Sequence, residues 1–228
     1  MSGTDLTRFM VSTYFALRIV IAAGAALLPV IIVLWAAIDP AFSLPGSISA
    51  SYYTPVRNVF VGIIVAVGGA LIAYRGYSAG ENRLLNLAGV LAVIVAWCPT
   101  KDPASSQMEA LNRIHVVAAV SFFLVIASSI VLYARVTLTL LDRSEAIRFS
   151  IAYWIITVVM VVLPISAALI AHAIGPGDTL FWVETSALAT FVAFWVTKTV
   201  ELRRSRCDER IVGGDVAVSA TGCMRPTA

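Results

Sequence analysis

Six stretches of this chain run for about the length of a membrane crossing with almost no charge: residues 19–38, 56–74, 84–98, 114–133, 151–173 and 180–200. A helix needs roughly 20 apolar residues, with a range of about 17–25, to cross the hydrocarbon core. Backbone polar groups find no water there, so stretches of this kind in series specify helices that satisfy their own hydrogen bonds. The expected fold is therefore all-α, a polytopic membrane protein with six transmembrane helices in one bundle. The third stretch is the shortest. It crosses only if Asn82, Arg83 and Asn86 stand at the interface, with the arginine reaching back to water. Composition excludes an ordinary soluble domain. The chain is 60% apolar and 13% charged, against about 45–50% and about 25% in soluble domains. The first stretch is too long for a signal peptide, whose apolar region covers about 7–15 residues, and it reads as a retained helix.

The basic residues set the sides. With the N-terminus inside, the inner segments collect Arg8, Arg18, Arg75, Arg83, Arg135, Arg143, Arg148, Lys198, Arg203, Arg204, Arg206, Arg210 and Arg225. Only Arg57, Lys101 and Arg113 fall outside. This bias predicts that both termini are cytoplasmic. The chain then divides into a cytoplasmic segment 1–18, a transmembrane domain 19–202, and a tail 203–228 whose polar, weakly patterned sequence predicts disorder. The net charge of +3 calls for no nucleic acid. The three cysteines, Cys98, Cys207 and Cys223, show no paired spacing for a disulfide or zinc site, and no cofactor is expected.

Helices in lipid associate where small residues let backbones approach. The second span offers Gly62, Ala66 and Ala70, with Gly69 and Ala73 beside them. The third offers Ala88, Ala92 and Ala96. Six spans supply enough internal neighbours for these stripes that a homo-oligomer is not indicated. Pro164 interrupts the fifth span and predicts a kink.

Polar chemistry gathers at the outer ends. The segment 47–58 reads SISASYYTPVRN, crowded with hydroxyls and ending in Arg57 and Asn58. His115 opens the fourth span, His172 closes the fifth, and Glu184 lies a turn inside the sixth, after Asp178 and Thr179. Segment 98–102, CPTKD, closes the third. An ionisable group within an apolar span is costly and takes a partner. Arg57 is the first expected partner for Glu184 and His115 the second. The expected binding pocket comprises Arg57, Asn58, Tyr53, His115 and Glu184. At the inner side, Lys198 and Glu201 are expected to pair or to reach the interface. The basic cluster 203–206 suits anionic inner-leaflet lipid.

Several chemistries can be drawn from this inventory. A zinc site from His115, His172 and Glu184 or Asp178 lacks ligand spacing, and no metal is expected. A serine nucleophile, Ser47, Ser49 or Ser51, with His115 as base and Glu184 as orienter, suits acyl transfer. Ser49, His115 and Glu184 are thus the catalytic candidates, although no nucleophile elbow accompanies them. A transporter would show internal repeats, and none stands out between 19–98 and 114–200.

The order of motifs resembles that of a family. An outer loop rich in Ile, Ser and aromatics leads through Pro55 into the second span. Asn86 and Gly89 form an Asn-x-x-Gly pattern, His115 starts the fourth span, and Glu184 starts the sixth. Over residues 47–202 this resembles the six-span DRAM/Frag/Sfk group and uncharacterised bacterial membrane proteins like it. The resemblance implies a lipid-facing role of the kind linked to lipid-anchor remodelling, phosphoinositide regulation and autophagy. It also implies emphasis on Ser49, Tyr53, Pro55, Asn86, His115 and Glu184. Where the family pattern has an acidic residue after the proline, this loop reads Pro-Val-Arg-Asn, which changes the charge at that point. The expected function is that of an integral membrane protein with an extracytoplasmic polar pocket, lipid-interacting or regulatory, without established catalysis. Its expected partners are membrane lipids, anionic headgroups among them, and its expected place is a bacterial cytoplasmic membrane. A membrane-embedded lipid or acyl hydrolase or transferase and a small-solute transporter are the alternatives.

Overall fold

The computed structural model describes residues 3–101, 109–174, 179–218 and 224–226. Side chains are not described at 3–4, 167–168, 170–174, 216–218 and 224–226. Asp102, the turn 175–178, Cys223 and the imidazole of His172 therefore lie outside the described residues and side chains.

Six long helices dominate the chain: α1 (Gly3–Ile38), α2 (Arg57–Ala73), α3 (Ala79–Trp97), α4 (Glu109–Tyr133), α5 (Arg143–Ile174) and α6 (Thr179–Ser205). A short helix α7 (Cys207–Val212) comes next, then two strands, β1 (Val216–Val218) and β2 (Met224–Pro226). The strands pair antiparallel with Val216 opposite Pro226. The fold is thus helical throughout its body, with a small hairpin appended where a disordered tail is predicted.

Each long helix packs against its successor, and α6 closes the ring on α1. Successive helices alternate in direction. One end of the bundle, the turn end, carries the 3-10 turn Ser49–Tyr53 and the starts of α2, α4 and α6. The other, the tail end, carries the start of α1 and all of α7. Five described helices are long and apolar enough to cross a membrane: Asp5–Ile38, Ala79–Trp97, Glu109–Leu140, Arg143–Ser166 and Thr179–Ser205. At 17 residues α2 is a shorter apolar helix, about 25 Å long at 1.5 Å per residue.

Several boundaries differ from those expected, α4 starting at Glu109 rather than 114 and α5 at Arg143 rather than 151, and three of them have a clear physical reason. Residues 3–18 are not a separate segment but the first half of α1. Leu6, Phe9, Val11, Tyr14 and Leu17 continue the apolar pattern, and Arg18 sits buried within the helix at 1% exposure. Helix α3 begins five residues before position 84 because Ser78 caps it. The Ser78 hydroxyl accepts from the Glu81 backbone N–H at 3.1 Å, and the Glu81 carboxylate accepts from the Tyr77 N–H at 2.7 Å. This reciprocal arrangement is a close variant of the Ser-x-x-Glu capping box. At the C-terminus, α6 runs on to Ser205, and Arg206 turns the chain in a left-handed conformation, φ 50° and ψ 33°. Cys207 and Asp208 fold back into the bundle as buried residues.

Large side chains fill the centre of the ring. Phe122 on α4 meets Phe191 on α6 with ring centroids 5.4 Å apart. Trp195 packs edge-on against Tyr74 at 5.2 Å. A second buried cluster at the turn end joins Leu28, Ile32, Phe42, Ile48, Phe60 and Phe181. Outward, α5 shows the reverse pattern: Ile151, Trp154, Ile155, Val158 and Val162 are exposed. Exposed apolar rows around buried charges suit a hydrocarbon surround.

The close approach between α2 and α3 falls at Gly68 and Gly89. A Cβ on Gly68 would lie 2.8 Å from the Gly89 carbonyl oxygen, and one on Gly89 would lie 2.6 Å from that of Gly68. The expected face at Gly62, Ala66 and Gly69 points away: those residues are exposed, and no atom lies within 4 Å of a Cβ built on either glycine. Ala70 is buried, as are Ala88, Ala92 and Ala96 on α3.

Candidate functional site

The turn end brings part of the expected pocket together. Ser47 shapes the turn by accepting the Ala50 N–H on its hydroxyl at 2.9 Å, and Thr54 donates its hydroxyl to the Ser51 carbonyl at 2.8 Å. This presents Ser49 to α6. Its backbone N–H donates to Oε2 of Glu184 at 2.9 Å, and its hydroxyl donates to Oε1 at 3.1 Å. Both carboxylate oxygens are therefore held by one residue of a loop 135 positions away in sequence. Below them a cavity of about 100 Å3 opens into the bundle, walled by Leu28, Phe60, Val67, Ala92, Phe122 and Phe191, among others.

The remaining expected members stand apart from this pair. Arg57 does not reach Glu184. It is exposed, its guanidinium lies 4.1 Å from the centre of the Tyr52 ring, and it donates to the Tyr52 hydroxyl at 2.6 Å. A cation stacked on an aromatic face five residues away needs no partner across the bundle. Asn58 is exposed beside it. Tyr53 donates its hydroxyl to the Thr100 carbonyl at 2.7 Å, fastening the turn to the end of α3. His115 is buried, and its Nδ1 lies 2.7 Å from the Cys98 carbonyl oxygen. That contact joins α4 to α3, and His115 is not part of the wall that Ser49 and Glu184 share.

The tail end holds a larger polar assembly that the sequence showed only in part. Arg18 donates through Nη2 to Asp208 Oδ2 at 2.6 Å. It also donates through Nη1 to the hydroxyls of Tyr77 at 3.3 Å and Tyr74 at 3.4 Å. Tyr77 donates its hydroxyl to Asp208. Lys198 donates to Glu201 at 2.8 Å, to Thr137 Oγ1 at 2.6 Å and to the Ala134 carbonyl at 3.1 Å. The Tyr153 hydroxyl donates to the same Glu201 oxygen at 3.0 Å. Tyr77 joins the two halves: its N–H is held by Glu81, and its ring centre lies 5.5 Å from the Lys198 ammonium.

Five ionisable side chains, Arg18, Glu81, Lys198, Glu201 and Asp208, are each at most 8% exposed there. Burial pushes the Tyr77 phenol far above its usual range, and the neighbouring Asp208 carboxylate adds to this, so the hydroxyl is a donor. Burial likewise raises the Cys207 thiol, which keeps it protonated and unreactive. Lys198 with Glu201 was legible as an i,i+3 pair. Ser78 and Glu81 carried a cap signature in the sequence. Nothing local marks Asp208 as the partner of Arg18, 190 residues away.

Among the described residues no three His, Cys, Asp or Glu side chains gather as metal ligands. Chemically, the turn end offers a carboxylate and a hydroxyl in the wall of an otherwise apolar hole. The tail end offers one buried ion pair that ties α1 to α7 and a second within α6. No protein-family model, curated protein or solved structure matches the chain.

Proposed function

We propose that this chain is a six-span membrane protein with both termini in the cytoplasm of a bacterial cell, and that its turn end faces outward and receives the apolar part of a lipid or other amphiphile. The observation that carries the reading is the apolar cavity that Glu184 and Ser49 line at the turn end. Dry apolar cavities take small apolar guests, roughly 150 Å3 sufficing for benzene. A hole of about 100 Å3 suits the end of an acyl chain rather than a whole lipid. The 13-to-3 distribution of basic residues supports the orientation. Helix α2 runs antiparallel to both its neighbours and, at 17 residues, meets the lower limit of about 17–25 for a span. The lipid-facing role accords with the resemblance to the DRAM/Frag/Sfk group.

Acyl transfer fits less well. The imidazole of His115 is engaged with Cys98 rather than with Ser49, and a general base must be within hydrogen-bond reach of the proton it takes. Transport has a different difficulty: Phe122, Phe191 and Trp195 fill the bundle between the two polar ends. Native mass spectrometry of the detergent-purified chain tests the cavity. Ala119 lines it, so Ala119→Phe should fill it and remove any co-purified amphiphile, while Val117→Phe on the exposed face of the same helix should not. Equal retention of lipid by wild type and Ala119→Phe defeats the reading.

A further inference from the structure

A cleft at the tail end lies between the first turns of α1 and the corner where α6 meets α7. It encloses about 660 Å3. Four arginines line it, Arg8, Arg18, Arg203 and Arg206, with two acidic residues, Asp208 and Glu209. The formal charge of these six is +2, four cations less two carboxylates. Arg8, Arg203 and Arg206 are exposed at its rim, while Arg18 is 1% exposed. The Arg18 Nη atoms are engaged with Asp208, Tyr74 and Tyr77, but its Nε–H is buried with no hydrogen-bond partner. A buried donor left in this state is costly, and its residue is part of the cleft's lining. Arg203 is steadied by Phe15, whose ring centre lies 4.5 Å from its guanidinium. Arg206 is set at the corner by its left-handed backbone.

These features select a class of ligand. Guanidinium groups present paired N–H donors that match the oxygens of a phosphate. A phosphate monoester carries roughly −1.5 to −2 at neutral pH, which balances the excess of +2, whereas a single carboxylate leaves half of it uncompensated. We propose that the cleft binds a terminal phosphate group, from a lipid headgroup of the phosphatidic acid type or from a soluble phosphate. This site is independent of the outer cavity: the two lie at opposite ends and share no residue.

The test uses the full chain in neutral detergent, titrated with inorganic phosphate and separately with dioctanoyl phosphatidic acid, with dioctanoylglycerol as the lipid lacking phosphate. Saturable binding of a phosphate probe and none of dioctanoylglycerol is expected. Arg203→Gln/Arg206→Gln removes two rim donors and should weaken binding about tenfold or more, since charge-assisted hydrogen bonds are the strong ones. Arg143→Gln/Arg148→Gln removes the same charge from two exposed positions outside the cleft and should change binding by no more than about twofold. Phosphatidic acid binding alone identifies a lipid headgroup as the source, and binding of inorganic phosphate as well shows that the soluble group suffices. Both support the site. Binding of neither probe overturns it, as does an equal loss from the two double variants. All four substitutions are of exposed side chains, and circular dichroism confirms that each variant is folded.

Discussion

Replacing Asp208 with alanine leaves Arg18 buried without its carboxylate. The native contact is 2.6 Å long, between side chains 1% and 9% exposed. Breaking a buried pair from one side costs about 3–5 kcal/mol, because the remaining charge is desolvated and uncompensated. The bundle need not unfold to escape this cost. Asp208 lies on α7, a six-residue helix beyond the last long one, so undocking α7 returns water to Arg18. The destabilisation should therefore appear as local opening of the tail. At 1.4 kcal/mol per decade, 3–5 kcal/mol raises the open population about 100- to 4000-fold. Trypsin reads that population at Arg206 and Arg210, provided closing is fast relative to cleavage. Asp208→Ala should accelerate tail cleavage by two decades or more while leaving the thermal midpoint of the long helices within a few degrees. The double variant Arg18→Met/Asp208→Leu replaces the pair by apolar groups of similar size, which is often neutral or stabilising. It should restore most of the protection. A tail cleaved as fast in the double variant as in Asp208→Ala would refute the stranded-charge argument, as would a single-variant rate within tenfold of wild type.

Six other substitutions test the packing. Gly68→Ala and Gly89→Ala each place a methyl against the opposing backbone carbonyl and should cost about 1–3 kcal/mol in chemical denaturation of the purified protein. Gly69→Ala, which meets open space, should be neutral or stabilising. Lys198→Met strands Glu201, which is fully buried, and should cost about 3–5 kcal/mol. Arg204→Met breaks an ion pair of similar length, 2.7 Å, with partners 55% and 30% exposed, and should cost at most about 1 kcal/mol in the same denaturation series. Arg206→Gly removes a side chain from a left-handed backbone position and should stabilise the docked tail by about 1 kcal/mol, measured as slower hydrogen exchange in α7.

The apolar runs made the long helices legible, because a run of some 20 such residues has few structures open to it. Their ends were less so, since a few polar residues decide where a helix begins. Ser78 and Glu81 start α3 earlier than its apolar run does, a signal present in the sequence but outweighed by hydropathy. The α2–α3 contact shows another limit. Small residues recur around the whole of α2, and four-residue spacing alone selects no face. The facing backbone makes Gly68 the point of contact and leaves Gly62 and Gly69 exposed.

Glu184 and Asp208 show why the candidate sites were only half visible. Glu184 stood out as a charge inside an apolar run, and charges there take partners. A span map fixes depth along the bundle but not direction around it. Arg57 was at the right depth, yet Tyr52, five residues upstream, captured it locally, and the neutral donors of Ser49 took the carboxylate instead. Asp208 did not stand out at all, because an acidic residue in a polar tail is ordinary by composition. Its burial depends on three conditions met together: a left-handed turn at Arg206, the buried Arg18, and Tyr77 placed to donate to it. Each is weak evidence alone, and their agreement exists only once α1, α3 and α6 have packed. The polar residues least conspicuous along the chain are therefore among the most tightly held in the fold, since a charge enters an apolar bundle only where several distant segments converge on it.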